Sequence, residues 1–391
     1  MKQTWDVFCR VVDNLGDVGV SWRLARQLAK EHDKRVRLWL DDLTVLAKLR
    51  PEADAALDAQ QVEGVEVLRL RELPFESRGV ADVVVETFGC DPPEAYVEAM
   101  AALDRKPRWI NLEYLSAEDW VEGSHALPSP NPRLPLVKHF FFPGFTPRTG
   151  GLLREAGLLE RRDEFQADAG AQAAFWKAVV GRAPPENALK MSLFTYADAP
   201  VESLARACLQ YPGPVWLVAP QGTAAAALRD RLTPAHDTIR RNDHDGGRRR
   251  EVEVFTIPFM PQDQYDLLLW ACDMNFVRGE DSFVRAQWAA RPFAWHIYPT
   301  EDNAHWVKLA AFLARYTDGL ERASAAAVTG LWETWNQRGA PASVEGGLPG
   351  AWAEFIARRP GLQAHAKRWS DGLAARPDLA AQLVDFVDNV L

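Results

Sequence analysis

Short apolar runs alternate with helical stripes through the first half of this chain, pause at Pro184-Pro185, and then the alternation starts again. Thr4–Val12, Val36–Leu40, Val65–Leu70, Val80–Thr87, Arg108–Leu112 and Leu136–Phe142 read as strands. Val20, Leu24 and Leu28 recur at four-residue spacing, the mark of one helix face, and Tyr96–Leu103 is helical in pattern. A polar, alanine-rich helical stretch, Leu152–Gly181, leads to the proline pair. The second series has strands at Leu189–Tyr196, Val215–Ala219, Val252–Ile257, Asp273–Val277 and Phe293–Tyr298, with helices between them. Parallel strands need a crossover, so this alternation predicts α/β units with mostly parallel sheets covered on both faces. From His305 to Leu391 the pattern is helical. The expected bounds are 1–183 for a first Rossmann-like domain, 184–365 for a second, and 366–391 for a helical segment packing back on the first.

Composition narrows the function. The 391 residues are 47% hydrophobic and 25% charged, which excludes disorder as the main state. A formal charge of −9 argues against a general nucleic-acid binder. The basic cluster Arg240-Arg241 with Arg248–Arg250 sits among Asn, Asp and Gly and reads as a solvated loop. Fifteen tryptophans, spread along the chain, are expected in the core or at domain interfaces. Cys9, Cys90, Cys208 and Cys272 stand apart with no C-x-x-C pair, and Cys9, Cys90 and Cys272, in or beside apolar runs, read as buried thiols of a reducing compartment. No stretch approaches a membrane span, and Met1–Asp6 has no apolar core of the signal type, so the expectation is a soluble cytoplasmic protein with no membrane or nucleic-acid partner.

Two motifs carry chemistry. Arg278-Gly279-Glu280-Asp281-Ser282 follows the apolar run Cys272–Val277 and opens a helical run. Backbone amides at a helix start favour an anion, and Arg278 adds a permanent fork of donors. Glu280 and Asp281 would repel a phosphate, so they suit hydroxyls; anion and hydroxyls together suggest a nucleotide-sugar site. The plainer reading is a surface turn with a capping serine. The second motif, Asp13-Asn14-Leu15-Gly16-Asp17-Val18-Gly19, joins the first strand to the first helix. It matches neither a dinucleotide fingerprint nor a P-loop. It offers two carboxylates at a strand end, fit for a general base or for orienting a nucleophile, unless Asp17 merely caps the helix and Asp13 holds the turn. Asp243-His244-Asp245 has the D-x-D form of metal-dependent transferases, but no strand closely precedes it, and no metal is expected. Two Rossmann-like domains suggest GT-B architecture, in which they face each other across a cleft with ligands at the strand carboxyl ends.

Four blocks together carry a family resemblance: Asp13–Arg26 (DNLGDVGVSWRLAR), Asn111–Trp120 (NLEYLSAEDW), Phe140–Phe145 (FFFPGF) and Asn275–Trp288 (NFVRGEDSFVRAQW). The chain resembles the EarP family of bacterial protein-arginine rhamnosyltransferases, which modify translation elongation factor P. The resemblance implies transfer of L-rhamnose from dTDP-β-L-rhamnose to an arginine of elongation factor P, with anomeric inversion and no cofactor, in support of translation through polyproline stretches. It makes Asp13 and Asp17 the catalytic carboxylates, with Asp17 as base and Asp13 orienting. It makes Arg278, Glu280, Asp281 and Ser282 donor-site residues. Phe194 and Tyr196 would line the nucleotide site, Phe259 and Gln262 would hold the thymine, and Tyr298 would reach the diphosphate; core packing is the other reading of each aromatic. Asn111–Trp120 and Thr87–Asp91 are candidates for docking the acceptor protein, with Glu113 and Asp119 as the charged contacts. Two positions depart from the family pattern: Ala197-Asp198 stands where Glu-Asn is usual, and Thr300 where glutamine is usual. The competing readings are another GT-B nucleotide-sugar transferase or epimerase with a non-protein substrate, and a non-catalytic adaptor.

Overall fold

The structure, a computed structural model, describes residues 2–12, 15–70, 78–232, 252–337 and 346–390. It divides into two compact units, Met1–Leu158 with Gly372–Leu391, and Leu159–Asp371.

The first unit is built on strands β1 (Thr4–Cys9), β2 (Arg35–Leu40), β3 (Ala59–Val62), β4 (Val65–Arg69), β5 (Val83–Thr87), β6 (Arg108–Leu112), β7 (Pro128–Pro130) and β8 (Val137–Phe141). They form one sheet in the order β3-β4-β2-β1-β5-β6-β8-β7. The interior pairs are parallel, while β3 and β7 pair antiparallel at the two edges. Side chains alternate across a strand, so Trp5, Val7 and Cys9 enter one core and Phe8 the other. With both faces covered, even Asp6 of β1 is fully buried, and it accepts from the Arg37 guanidinium (Nη2 to Oδ2 2.6 Å) and from the Tyr96 hydroxyl. Helices α1 (Leu15–Glu31), α2 (Leu43–Leu49), α3 (Glu94–Ala102) and α4 (Trp120–Ser124) complete the crossovers. The C-terminal helix Leu379–Asp385 and the turn after it put Leu379, Leu383, Phe386 and Val387 into the same core as Trp5 and Trp22.

The second unit has strands β9 (Leu189–Leu193), β10 (Val215–Pro220), β11 (Val252–Ile257), β12 (Met274–Arg278) and β13 (Phe293–His296), all parallel, in the order β11-β10-β9-β12-β13. Its helices are α5 (Leu158–Ala167), α6 (Ala169–Val180), α7 (Val201–Gln210), α8 (Thr223–Leu232), α9 (Gln262–Ala271), α10 (Asp281–Trp288), α11 (Ala304–Tyr316), α12 (Arg322–Trp335), α13 (Gly347–Ala357) and α14 (Arg359–Ala374). Phe312, Tyr316 and Trp332 stack into an aromatic core that Phe293 meets edge-on, and the Trp332 indole donates to the Phe293 carbonyl at 2.9 Å. Two mostly parallel sheets and a helical C-terminal region are the α/β class that the alternation predicts.

Local differences have simple causes. The stretch expected to be helical from Leu152 begins only at Leu158, and Asp168 breaks it by accepting from the Ala171 amide at 2.9 Å. The edge strands β3 and β7 have no apolar alternation to announce them, since Ala59–Val62 reads Ala-Gln-Gln-Val. Helix α1 begins at Leu15, so Gly16, Asp17 and Gly19 are helical where an open turn was expected.

A buried ion pair ties α9 to α10. The Arg285 guanidinium donates through Nε (2.8 Å) and Nη2 (2.6 Å) to the two Asp266 carboxylate oxygens, with both residues buried. Breaking such a pair leaves an uncompensated charge, so Arg285→Ala is expected to lower stability by roughly 3–5 kcal/mol. Urea unfolding of the variant tests this, and Asp266→Leu with Arg285→Met should recover most of the loss.

Candidate active site

Each sheet reverses its winding once, between β1 and β5 in the first unit and between β9 and β12 in the second. Where winding reverses, the loops leaving the two strands diverge and open a crevice at their carboxyl ends. Both motifs singled out from the sequence flank these reversals.

In the second unit, β12 ends on Arg278 and α10 begins at Asp281. Gly279 makes the turn with a left-handed backbone, φ +61°, which costs a glycine little. Ser282 is not a capping serine: its hydroxyl donates back to the Arg278 carbonyl. The turn is half-buried rather than on the surface. The Arg278 guanidinium lies over the Tyr196 ring, 4.7 Å from its centroid, and Tyr298 meets the same tyrosine edge-on at 5.4 Å. A planar cation resting on an aromatic face is held in a defined orientation. Phe194 is buried against Tyr265 (4.5 Å) and approaches Phe259 (6.4 Å). Phe259 and Tyr298 are exposed enough to touch a ligand. Gln262, buried at the start of α9, donates to Asp281 at 2.9 Å and so ties the first turns of α9 and α10 together.

Sequence reading passed over His296, at the end of β13. It is buried, and its Nδ1 lies 2.6 Å from the Thr195 hydroxyl and 3.3 Å from the Tyr196 amide. Burial and the nearby Arg278 push its pKa down to about 4, against an opposing pull from Asp198. The folded protein therefore binds fewer protons here than the unfolded chain, whose histidine has its ordinary value near 6.5. This site's stabilisation is whole above pH 6.5 and is lost as the pH falls towards 4. Among the histidine resonances, that of His296 should report a neutral ring down to about pH 5, and His296→Asn should remove it. Both departures from the family pattern have local partners. The Asp198 carboxylate lies 3.7 Å from His296 Nε2. Thr300 accepts from the His305 amide at 3.3 Å and closes the entry to α11.

In the first unit, Asp13 lies outside the described residues. Asp17 sits in the first turn of α1, almost fully buried, and accepts from the Val12 amide at 2.9 Å. It thus ties Val12, just past β1, to the first turn of α1, and the Tyr114 hydroxyl donates to its other oxygen at 3.4 Å. The Tyr114 ring stacks on Phe88, 4.3 Å between centroids and 16° from parallel. Phe88 (φ +59°), Gly89 (+65°) and Asp91 (+38°) are all left-handed, an unusual conformation for phenylalanine. Asn111 ties this loop to the next strand: its Oδ1 accepts from the Gly89 amide at 3.3 Å, and its Nδ2 donates to Glu113 at 2.7 Å. So Asp17, Tyr114, Phe88, Asn111 and Glu113 come together at the reversal. Asp119 is exposed at the start of α4, next to Trp120, itself 55% exposed. No glycine motif announces Tyr114 or Phe88 as site residues; Gly89 alone hints at the turn.

Among the described residues, no group of three or more His, Cys, Asp or Glu is placed to hold a metal ion. Asp243-His244-Asp245 lies outside them. No described helix is long and apolar enough to cross a membrane.

The family model for "Elongation-Factor P (EF-P) rhamnosyltransferase EarP" matches residues 5–388. The chain belongs to the EarP family. It is 49% identical to a protein-arginine rhamnosyltransferase of Pseudomonas putida, over 100% of both chains. It is 34% identical to a protein-arginine rhamnosyltransferase of Neisseria meningitidis, over 98% of this chain and 96% of the other. A solved structure from work on EarP-mediated arginine glycosylation of translation elongation factor EF-P matches over 100% of both chains, with 38% identity and a TM-score of 0.67. The spinosyn rhamnosyltransferase SpnG, 14% identical, matches over 100% of both chains with a TM-score of 0.52 and shows the shared fold. The fold class is therefore GT-B, and the chain is an enzyme, a glycosyltransferase of the protein-arginine rhamnosyltransferase class.

Proposed function

We propose that this EarP-family enzyme moves L-rhamnose from dTDP-β-L-rhamnose to an arginine side chain of translation elongation factor P with inversion at the anomeric carbon, in a reducing cytoplasm. The observation that carries the donor half is the Arg278 guanidinium resting on Tyr196 where the second sheet reverses. It offers a fixed cationic fork to a diphosphate, next to the first turn of α10. Phe259 and Gln262 are proposed to hold the thymine, with Phe194 supporting Phe259 from behind. Tyr298 is proposed to reach the diphosphate, and Glu280, Asp281 and Ser282 to face the sugar.

The acceptor imposes its own chemistry. A guanidinium has a pKa above about 12, so an aspartate cannot deprotonate it in advance. In the proposed step, a guanidinium nitrogen bonds to the anomeric carbon as the bond from that carbon to the phosphate oxygen breaks. The dTDP leaves with that electron pair, and the nitrogen's proton passes late to Asp17. Asp13 is assigned to orienting the acceptor, and Glu113 and Asp119 to docking the protein that carries it. Arg278 and the α10 amides meet the charge on the leaving group, so no metal is assigned; turnover in excess chelator is expected to match turnover without it.

The direct test is the intact mass of elongation factor P after incubation with this enzyme and dTDP-β-L-rhamnose. Gain of one deoxyhexosyl unit is expected. Donor consumption with no change in that mass would point instead to a GT-B enzyme acting on a non-protein substrate.

A further inference from the structure

We infer that His296 is a positioning residue for the donor nucleotide: in its neutral Nε2–H form it holds the Thr195-Tyr196 segment so that Tyr196 lies beneath Arg278. The inference rests on the donor-site reading given above.

Register and hydrogen bonds carry it. β13 pairs with β12 so that His296 lies level with Arg278, each the last residue of its strand. The tautomer follows from the partners. A backbone amide can only donate, so Nδ1, which meets the Tyr196 N–H at 3.3 Å, is an acceptor. The Thr195 hydroxyl, 2.6 Å from the same nitrogen, must donate as well. The ring proton is left on Nε2, on the side of Asp198 Oδ1 at 3.7 Å. Protonation at Nδ1 would set a donor against the Tyr196 N–H; the Thr195 hydroxyl could turn to accept, but the bond to the backbone amide would be lost and the segment loosened.

The groups around the ring come from three elements. Asp198, on the segment after β9, and Arg278, at the end of β12, are the charged ones. Tyr196 and, from α12, Trp335 meet the ring edge-on at 5.3 and 5.9 Å. The strand end is itself fixed. Asn336, just past α12, accepts from the Ile297 amide at 2.9 Å and donates to the Trp295 carbonyl at 2.8 Å, bracketing His296 on both sides. A rigid strand end therefore reaches through one imidazole to the tyrosine on which the guanidinium rests.

Calorimetric titration with dTDP tests this on wild type, His296→Leu, His296→Asn and Arg278→Ala, with thermal unfolding as the check on folding. Leucine removes the acceptor; asparagine keeps one close to the Nδ1 position. His296→Leu is expected to weaken dTDP by about tenfold, on the scale of one or two lost hydrogen bonds. His296→Asn should stay within about threefold of wild type. In kinetics the loss should fall on donor KM, with kcat and acceptor KM nearly unchanged. In wild type, labelled-histidine spectra at pH 7 should show the Nε2–H tautomer for this residue. Unchanged dTDP affinity in a folded His296→Leu, with Arg278→Ala weakened, would overturn the inference and leave the donor site standing. Unchanged affinity in Arg278→Ala would overturn the donor reading itself. If the leucine variant does not fold, an Nδ1–H tautomer in wild type, or a loss of more than about threefold in His296→Asn, overturns the inference.

Discussion

Asp17→Asn is expected to lower turnover by about 10³-fold while leaving dTDP affinity within about twofold, the loss lying in the usual range for a general base. The substitution is informative because Asp17 has two jobs in the proposed scheme. One is structural: a carboxylate oxygen accepts from the Val12 amide at 2.9 Å and ties Val12 to the first turn of α1. An asparagine carbonyl oxygen can accept the same bond, so the tie to Val12 is kept. The other is proton acceptance, for which the neutral amide is useless. Asp17→Ala removes both and should also lower the unfolding midpoint. Near wild-type turnover in Asp17→Asn, with donor and acceptor still binding, would remove Asp17 from the role of base.

Arg278→Ala is expected to lower kcat/KM by roughly 10²–10³-fold, the scale seen when one preorganised donor to a developing negative charge is removed. The guanidinium rests on the Tyr196 ring and is held in one orientation, so little ordering is needed when the diphosphate binds. Arg278→Lys keeps the charge but loses the planar fork and the stacking. It should recover only part of the rate, with the remaining deficit shared between donor KM and kcat. A rate unchanged in Arg278→Ala would mean that the leaving group is stabilised elsewhere.

The sequence exposed the parts of this molecule that depend on local order. The strands of the two parallel series are mostly apolar, because a parallel sheet buries both faces, and Arg278–Ser282 stands out because glycine and serine punctuate a strand–helix junction. What it hid depends on distant partners. His296 follows Phe-Ala-Trp and reads as one more core residue; its meaning comes from Thr195, 101 residues earlier. Tyr114 looks like part of a docking block until its hydroxyl is placed against Asp17, 97 positions away. Asp17 itself carries the two ordinary readings of an early helical aspartate, cap or catalyst. Its bond runs backward to Val12, a geometry that neither spacing nor propensity encodes. Phe88 shows the same limit, since nothing in its identity foretells a left-handed backbone.

The C-terminal residues Leu379, Leu383, Phe386 and Val387 share a core with Trp5, Trp22 and the strands of the first sheet. A ribosome makes that first sheet and then the whole second unit before it reaches them. At about 5–20 residues per second the wait is roughly 10 to 45 s. During that time the apolar side chains that these residues cover in the finished unit stay open to solvent. The second unit, continuous in the chain from Leu159 to Asp371, has no such debt and can close as it emerges. The part made first is therefore finished last.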